Sequence, residues 1–384
     1  MSSPSASDDA HMPQLDGLRA IAATLVVVEH FAPLYDYLYF STGRLGVWLF
    51  FALSGFLITG ILAKSRDLID VAPGQRKRVW QAFYMRRILR IWPLYYALLL
   101  VAVVLNLTEA RHLLPWYMVH LANFGVATTG WWVPSIGHYW TLGIEEQFYL
   151  VWPIVILFAP RRFAIPVVVA AVLGAPLFRL LLMTVGHQNQ AVTILMTPSG
   201  FDGLGMGALL ALIRRADWAN YRKFLNAGLA LGVVVLAVSL LLRVKGKAFA
   251  LNVTGELFAF ALISTWLVGN CADGFKGVVG KFLTLAPMLY LGRISYGIYM
   301  FNLPLADFIE IFQKKTGMKL PIPEQLGLSR FVVCFLLSVG LASLSWYLLE
   351  RPLNELKRFF PYPTRAKGPE KASETNLDLT VSAT

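Results

Sequence analysis

The sequence LDGLRAIAATLVVVEHF, residues 15–31, decides the fold class of this chain. It is as apolar as a membrane helix, yet it carries Arg19 near its start and Glu29 and His30 near its end. Charged and imidazole side chains are costly in hydrocarbon and persist there where a function or a partner requires them. The stretch therefore predicts either a membrane helix with a functional face or a helix outside the membrane.

The composition of the whole chain favours the membrane. Of 384 residues, 57% are hydrophobic and 15% are charged, and the mean hydropathy is +0.59. The apolar residues form recurrent blocks of about 20, the length that crosses a bilayer as a helix. This pattern predicts an all-α polytopic membrane protein, a bundle of ten transmembrane helices. The predicted spans are 14–35, 44–63, 83–106, 139–159, 163–183, 199–213, 224–243, 249–268, 288–312 and 329–349.

Residues 112–127, HLLPWYMVHLANFGVA, form a further apolar stretch. They include two histidines, a proline and an asparagine, and the stretch is short for a span. We predict a re-entrant or interfacial segment here. An additional span at this point would reverse the orientation of every later helix.

The loop charges predict the orientation. With the N-terminus inside, the cytoplasmic loops carry most of the loop lysines and arginines, as the positive-inside rule expects. Both termini are then cytoplasmic. The net charge of +12 follows from this orientation and from contact with anionic lipid rather than from nucleic acid, for which no motif is present. The predicted organisation is a disordered N-terminus at 1–13, a transmembrane domain at 14–352 and a disordered cytoplasmic tail at 353–384.

The two cysteines, Cys271 and Cys334, are far apart in the sequence and belong to no CxxC or Cys/His motif. Their spacing indicates neither a disulfide framework nor a metal site, and both are predicted to be buried thiols. We expect no metal and no permanently bound cofactor.

The first predicted helix has a polar face. Arg19 and His30 are eleven residues apart, so they fall within about 20° of one another and about 16 Å apart along the axis. Asp16 lies about 40° from His30 by the same geometry. One face thus carries an acid and a base near the cytoplasmic end and an imidazole about three turns deeper. A lone histidine inside a membrane protein is as often a hydrogen-bonded core residue as a functional one.

The third predicted span opens with YMRRILRIWPLYY, residues 84–96. Arg86 and the basic residues 76–78 are interpreted as cytoplasmic anchors. Arg87 and Arg90 lie deeper and one turn apart, where two guanidinium groups can bind phosphate in a bidentate manner. They are candidate anion-binding residues.

The fourth predicted span begins HYWTLGIEEQFYLVWP, residues 138–153, and contains Glu145 and Glu146. Two adjacent carboxylates in an aromatic membrane helix are difficult to explain by packing, and a salt bridge to an arginine is the simplest structural role. Other polar groups are weaker signals, for which helix packing or interhelical hydrogen bonding is the simpler reading. They are Ser54 with Gly55, Asp202, Ser295, Tyr296 and Asn302.

The order of these motifs resembles the acyltransferase 3 family of bacterial membrane acyltransferases. The resemblance runs through Arg19 to His30, GVWLFFALSGFLIT, RRILRIWP, HYWTLGIEEQFYLVWP, FDGLGMGALLA, GRISYGIYMFNLPL and YLLERP. It covers about residues 13–352, nearly the whole chain. The first, third and fourth of these motifs together are specific.

The resemblance implies a ten-helix enzyme of the bacterial inner membrane. Such an enzyme takes an acyl group, commonly acetyl, from cytoplasmic acyl-CoA and passes it to a hydroxyl of a carbohydrate-type acceptor. By the resemblance, His30 is catalytic, and Arg19, Arg87 and Arg90 handle the acyl-CoA donor. The chemistry of the residues agrees, because imidazole can act as a base or a nucleophile near neutral pH.

We assign Glu145 as the carboxylate that orients His30, by analogy with a catalytic triad. Glu146, Asp16, Asp202, Ser295, Tyr296 and Asn302 are named as supporting residues. Pairing of Glu145 with Arg19 or Arg90 is an open alternative that would make Glu145 structural. Glu29 is about 100° from His30 around the helix and is expected to face elsewhere.

Three alternative functions remain open. The acceptor is expected to be a surface polysaccharide or a lipid-linked glycan, with a macrolide-like small molecule as the second choice. A proton-coupled transporter of a glycan or an anion would use His30 and Glu145 as a proton relay. A non-catalytic relative would keep the motifs for packing.

Two positions depart from the pattern of the family. Asn302 stands where many members have a histidine, which places an acid–base role there in doubt. Trp48 stands where a small or acidic residue is common, which could reshape the neighbouring cavity.

Overall fold

A computed structural model describes residues 12–318, 322–323 and 325–363 of the chain. These residues form helices and no strand, which confirms the predicted all-α class. The helices of the first half are α1 Pro13–Phe31, α2 Tyr35–Leu38, α3 Thr42–Val71, α4 Arg76–Val104, α5 Leu114–Met118, α6 Ala122–Thr129, α7 Trp140–Phe158, α8 Arg161–Thr184 and α9 Gln190–Leu195. Those of the second half are α10 Phe201–Arg215, α11 Tyr221–Val244, α12 Phe249–Asp273, α13 Gly277–Leu283, α14 Ala286–Arg293, α15 Ser295–Phe301, α16 Pro304–Thr316, α17 Leu328–Ser345 and α18 Arg351–Glu355.

Seven helical segments of the described chain are long and apolar enough to cross a membrane. They are Thr42–Val71, Pro73–Val104, Gly137–Phe158, Arg161–Thr184, Tyr221–Val244, Phe249–Asp273 and Leu328–Phe359. By length and composition the protein is therefore a multi-pass helical membrane protein. The predicted number of ten spans is not confirmed.

The other three predicted spans take a different form in the structure. Helix α1 has 19 residues and carries three charged side chains, and α10 has 15 residues. The prediction of one continuous helix over 288–312 is wrong, because the chain divides there into α14, α15 and α16. Pro304 begins α16, where a missing backbone N–H costs no helical hydrogen bond. The breaks place Arg293 and Asn302 at helix ends.

Residues 107–129 contain a 3₁₀ segment, Leu107–Leu113, followed by α5 and α6. His120 lies between the two short helices and packs against Tyr95, with ring centroids 4.3 Å apart. Burial lowers the pKa of His120 to about 4, so its imidazole is neutral at pH 7. Neither helix is long enough to cross a bilayer. A re-entrant or interfacial position for this segment stays a prediction.

Helix α3 is the central element of the bundle and packs against α1, α7, α10 and α12. Its crossing with α10 is closest at two glycines. A Cβ atom on Gly55 would lie 1.9 Å from the carbonyl oxygen of Leu204, and one on Gly207 would lie 2.1 Å from that of Ala52. Small residues permit such close helix packing in membranes. Helices α1 and α7, which carry His30 and Glu145, both pack on α3 as well.

The ordered chain extends further at the C-terminus than predicted. Helix α18 continues into a 3₁₀ turn, Leu356–Phe359, and Arg86 donates hydrogen bonds to the carbonyl oxygens of Lys357 and Phe360. Disorder was predicted from residue 353, but the structure describes the chain up to residue 363. The guanidinium group of Arg86 joins this segment to α4. The predicted disordered residues 1–11 and 364–384 lie outside the described residues. Cys271 and Cys334 are both buried free thiols, as predicted.

Candidate active site

His30 is the penultimate residue of α1 and contacts a helix end from the far part of the sequence. Its Nδ1 lies 2.5 Å from Oδ1 of Asn302. The amide nitrogen of Asn302 donates to the carbonyl oxygen of Tyr299, so Oδ1 is the free acceptor of that amide. Nδ1 of His30 must therefore be the donor, which leaves Nε2 unprotonated in the neutral imidazole. This is the tautomer that a general base or a nucleophile needs.

Asn302, and not Glu145, contacts the imidazole of His30. The Asn302 side chain is fully buried between α15 and α16. Glu145 instead accepts a hydrogen bond of 2.5 Å from Ser54 of α3. The expected contact between His30 and Glu145 is not formed within the described chain. Asn302, which departs from the family pattern, is thus the residue that is hydrogen-bonded to the imidazole of His30.

Arg87 faces a different group of residues from the one expected. Its guanidinium group lies over the ring of Tyr149, 5.8 Å from the ring centroid, and its charge acts on Glu145 and Glu146. Glu146 accepts a long hydrogen bond of 3.4 Å from Trp92, and its Oε1 has no partner among the described residues. Arg87 and the two carboxylates therefore form one polar cluster inside the bundle.

Arg90, one turn further along α4, lines a cavity of about 600 Å³ that we call the arginine cavity. Arg19 and Asp16 of α1 line it as well, so the structure brings three of the residues singled out in the sequence to one place. The complete lining is Asp16, Arg19, Arg90, Leu289, Gly292, Arg293, Trp346, Tyr347 and Arg351. Its volume is typical of a small-molecule site.

The charges of the arginine cavity are unbalanced, with four guanidinium groups around one carboxylate. Arg19 forms an ion pair with Asp16. Arg90 forms no hydrogen bond or ion pair within the part of the chain that the structure describes. The positive charges of Arg19 and Arg87 act on it, opposed by the negative charges of Asp16 and Glu350. A group of like charges of this kind is stabilised by an anionic ligand.

The supporting residue Asp202 has a structural environment. It forms an ion pair of 2.5 Å with Arg179 and accepts a hydrogen bond of 2.9 Å from Nε1 of Trp48. Asp202, Arg179 and Trp48 are all fully buried. Both carboxylate oxygens of Asp202 are thus bound by residues of the protein itself. Through its hydrogen bond to Asp202, Trp48 joins α3 to α10.

The remaining predicted residues also have defined positions. Tyr296 donates a hydrogen bond of 2.8 Å to the carbonyl oxygen of Ile91, which joins α15 to α4. Ser295 is buried as the first residue of α15. Glu29 accepts hydrogen bonds from the side chains of Ser41 and Thr42 at the start of α3, away from the partner of His30.

The sequence reasoning missed three residues near these groups. Arg293 and Arg351 line the arginine cavity from α14 and α18, and they belong to the motifs GRISYGIYMFNLPL and YLLERP. His138 is 4% exposed, and neither of its ring nitrogens has a partner among the described residues. Its ring packs against Tyr299, with centroids 5.1 Å apart. Its position at the head of HYWTLGIEEQFYLVWP was the available signal.

A second and larger cavity, of about 1450 Å³, lies among α3, α8, α10, α11 and α12. None of His30, Arg19 and Arg90 lines it. Its charged lining residues are Lys64, Arg66, Asp67, Arg161, Arg214, Arg215, Asp217, Arg222 and Asp273. We call it the paired cavity, because its arginines form ion pairs with aspartates of the same region.

Comparison with known proteins places this chain in a family. The chain is 24% identical over 379 residues to the O-acetyltransferase OatA of Staphylococcus aureus, covering 90% of this chain and 57% of that protein. It is 24% identical over 374 residues to the peptidoglycan O-acetyltransferase OatA of Listeria monocytogenes, covering 90% of this chain and 56% of that protein. The chain thus spans somewhat more than half the length of these relatives. No solved structure matches it significantly. The family model described as acyltransferase domain matches residues 12–347, and the chain therefore belongs to the acyltransferase 3 family.

Proposed function

We propose that this chain is a membrane O-acetyltransferase that moves an acetyl group from cytoplasmic acetyl-CoA to a hydroxyl of a carbohydrate. The observation that carries the proposal is the arrangement along α1. Its N-terminal half contributes Asp16 and Arg19 to the arginine cavity, and its last turn holds His30 on Asn302. Family membership supports acyl transfer, and the names of the relatives support acetyl as the acyl group.

The arginine cavity suits the donor. Coenzyme A is a polyanion with a long, thin pantetheine arm that ends in the thioester. Guanidinium groups bind phosphate oxygens in pairs, and two of those in the cavity, Arg19 and Arg90, are half-buried. Arg19 and His30 are about 16 Å apart along α1. Phosphates held at the arginines would therefore direct the arm along α1 toward the imidazole.

The reaction at His30 follows from the tautomer. Nε2 accepts the proton of the acceptor hydroxyl while the hydroxyl oxygen attacks the thioester carbonyl carbon. A C–O bond forms, the C–S bond breaks, and the proton passes from His30 to the departing thiolate. The hydrogen bond from Nδ1–H to Asn302 keeps Nε2 directed at the substrate throughout. The same free Nε2 would serve a route through an acyl-imidazole.

The acceptor we propose is a cell-wall or surface glycan. The Listeria relative is named for peptidoglycan, which makes a de-O-acetylated peptidoglycan strand the first acceptor to try. His30 lies at the opposite end of α1 from the arginine cavity, which supports an acceptor that approaches from the far face of the membrane. A small-molecule acceptor is the second choice.

The test is transfer of labelled acetyl from acetyl-CoA to glycan by the purified protein in lipid nanodiscs. We expect His30→Ala to lower kcat by about 10²- to 10⁴-fold, the usual contribution of a general base. His187→Ala is the matched control, because His187 is an exposed loop histidine. Thermal unfolding of each variant would show that the bundle remains folded.

Three results would decide between the functions. Unchanged labelling in His30→Ala would contradict the catalytic assignment. Uptake of glycan or anion into proteoliposomes without acetylation would favour the transporter. Loss of activity in His187→Ala as well would show that the assay reports stability rather than chemistry.

A further inference from the structure

The last predicted span contains a π-helical turn, Trp346–Glu350, between α17 and α18. Turns of this type are rare and occur frequently at functional sites. Trp346 and Tyr347 begin the turn, Arg351 follows it directly, and all three line the arginine cavity. The side chain of Glu350 accepts a hydrogen bond of 3.1 Å from Ser345 inside the bundle. The turn thus presents two aromatic rings and one guanidinium group to the same cavity.

The four arginines of the cavity lie at two depths. Arg19 and Arg90 are half-buried, whereas Arg293 and Arg351 are exposed, with the Arg351 side chain 58% accessible. Arg90 and Arg19 therefore form an inner pair, and Arg293 and Arg351 form a rim pair.

The position of Arg293 in the rim pair is fixed by close packing. A Cβ atom on Gly292 would lie 2.0 Å from the carbonyl oxygen of Asp16, so α14 packs directly on α1. This contact holds Arg293, the next residue, beside the mouth of the cavity. Arg351 forms an ion pair with Glu355 at a distance of 3.4 Å. Both side chains are exposed, and such a pair contributes little to the free energy of folding. Both rim arginines are available to an anion.

The two ends of the donor correspond to the inner and rim parts of the cavity. If the thioester is to reach His30, the pantetheine arm must point inward and the nucleotide must remain at the mouth. The pyrophosphate, which adjoins the arm, then meets Arg19 and Arg90. The 3′-phosphate lies on the far side of the ribose and meets the rim pair. The adenine base has the flat apolar faces that stack on aromatic rings such as Trp346 and Tyr347.

We infer that Arg293, Arg351, Trp346 and Tyr347 form a recognition site for the adenosine 3′-phosphate end of the donor. This inference rests on the proposed function. It gives the enzyme selectivity for coenzyme A thioesters over thioesters of dephospho-coenzyme A and over acyl-phosphopantetheine carriers, which lack the nucleotide. The inner pair cannot distinguish coenzyme A from its dephospho form, because the pyrophosphate is common to both.

The test compares acetyl-CoA with acetyl-3′-dephospho-CoA as donors for wild type and for the double variant Arg293→Gln/Arg351→Gln. We expect the KM of wild type to be about 10- to 100-fold higher for the dephospho donor, the usual effect of charge-assisted hydrogen bonds. In the double variant the ratio of the two KM values should fall close to one. Arg78→Gln is the control, because Arg78 is an exposed cytoplasmic-end arginine of α4 outside the cavity, and it should keep the wild-type ratio.

A second measurement needs no catalysis. Adenosine 3′,5′-bisphosphate should raise the thermal midpoint of wild type and of Arg78→Gln, with a much smaller shift for the double variant. Equal KM values for the two donors in wild type would overturn the inference and leave the proposed function intact. A ratio that persists in the double variant would also overturn it. If neither donor is used at all, the proposed function fails, and binding of the bisphosphate then tests the site independently.

Discussion

The two cavities described above differ in the pairing of their arginines, and the smaller cavity holds the unpaired ones. The paired cavity is more than twice as large and holds more arginines than the arginine cavity. Its cations are neutralised within the protein, however: Arg161 binds Asp67 and Asp70, and Arg214 and Arg222 both bind Asp273. In the arginine cavity, Arg90 and Arg293 have no such partner in the described chain, and one carboxylate faces four guanidinium groups.

The comparison separates two uses of arginine in one membrane protein. Where each guanidinium group has its carboxylate, the pair joins helices, as it does for α3 and α8 through Arg161. Where guanidinium groups repel one another around a cavity, an anion must complete the arrangement. The pairing of the cations, rather than the volume or their number, therefore supports our proposal that the arginine cavity is the donor site.

The largest effect should come from replacing one arginine of the arginine cavity, compared with one arginine of the paired cavity. Arg90→Met should raise the KM for acetyl-CoA by about 10- to 100-fold, because a charge-assisted hydrogen bond to phosphate is lost. Arg214→Met, in the paired cavity, should change that KM less than about twofold, because its partner there is Asp273. The steady-state KM of the two purified variants gives the answer. A larger effect from Arg214→Met would reverse the assignment of the cavities.

The next effect concerns His30, which lies at the end of α1 opposite the arginine cavity. Asn302→Ala removes the acceptor of the Nδ1–H of His30 and should lower kcat about tenfold, with little change in the KM for the donor. Asn302→Asp, which keeps an acceptor at the same place, should recover most of the activity. A change confined to KM in Asn302→Ala would show that this residue contacts the donor instead.

The smallest effect should come from the ion pairs of the paired cavity. Asp67→Asn weakens its contacts with Arg161 and Arg215, in which the side chains are 38–57% exposed. Exposed pairs contribute about 0.2–1 kcal/mol each, so the free energy of unfolding should fall by about 1 kcal/mol with activity unchanged. Thermal unfolding and the acetyl-transfer assay on one preparation measure both quantities. A large loss of activity would give the paired cavity a role in catalysis.

The sequence predicted the local features of this molecule and missed the tertiary ones. Helical geometry placed Asp16, Arg19 and His30 on one face of α1, because spacing within a helix is fixed by the backbone. It could not bring Arg293 and Arg351 to Arg19, since they belong to helices more than 250 residues away. The hydropathy pattern also could not predict that residues 288–312 divide into three helices, because it shows the length of an apolar run and not the breaks within it.

The assignment of Glu145 shows a further limit. A carboxylate inside a membrane helix needs a partner, and the sequence offers several candidates without a means of choosing. In the structure, Glu145 is hydrogen-bonded to Ser54, and His30 is hydrogen-bonded to Asn302. Asn302 was noted as a departure from the family, yet whether a substitution removes a function or performs it in another way depends on the contacts it makes.

We propose above all that acyl-CoA occupies the arginine cavity with its thioester directed at His30. A structure determined with a non-hydrolysable thioether analogue of acetyl-CoA tests this claim most directly. We predict the pyrophosphate between Arg19 and Arg90 and the acetyl group within hydrogen-bonding reach of Nε2 of His30. An analogue bound in the paired cavity, or one whose acyl end points away from His30, would contradict the account.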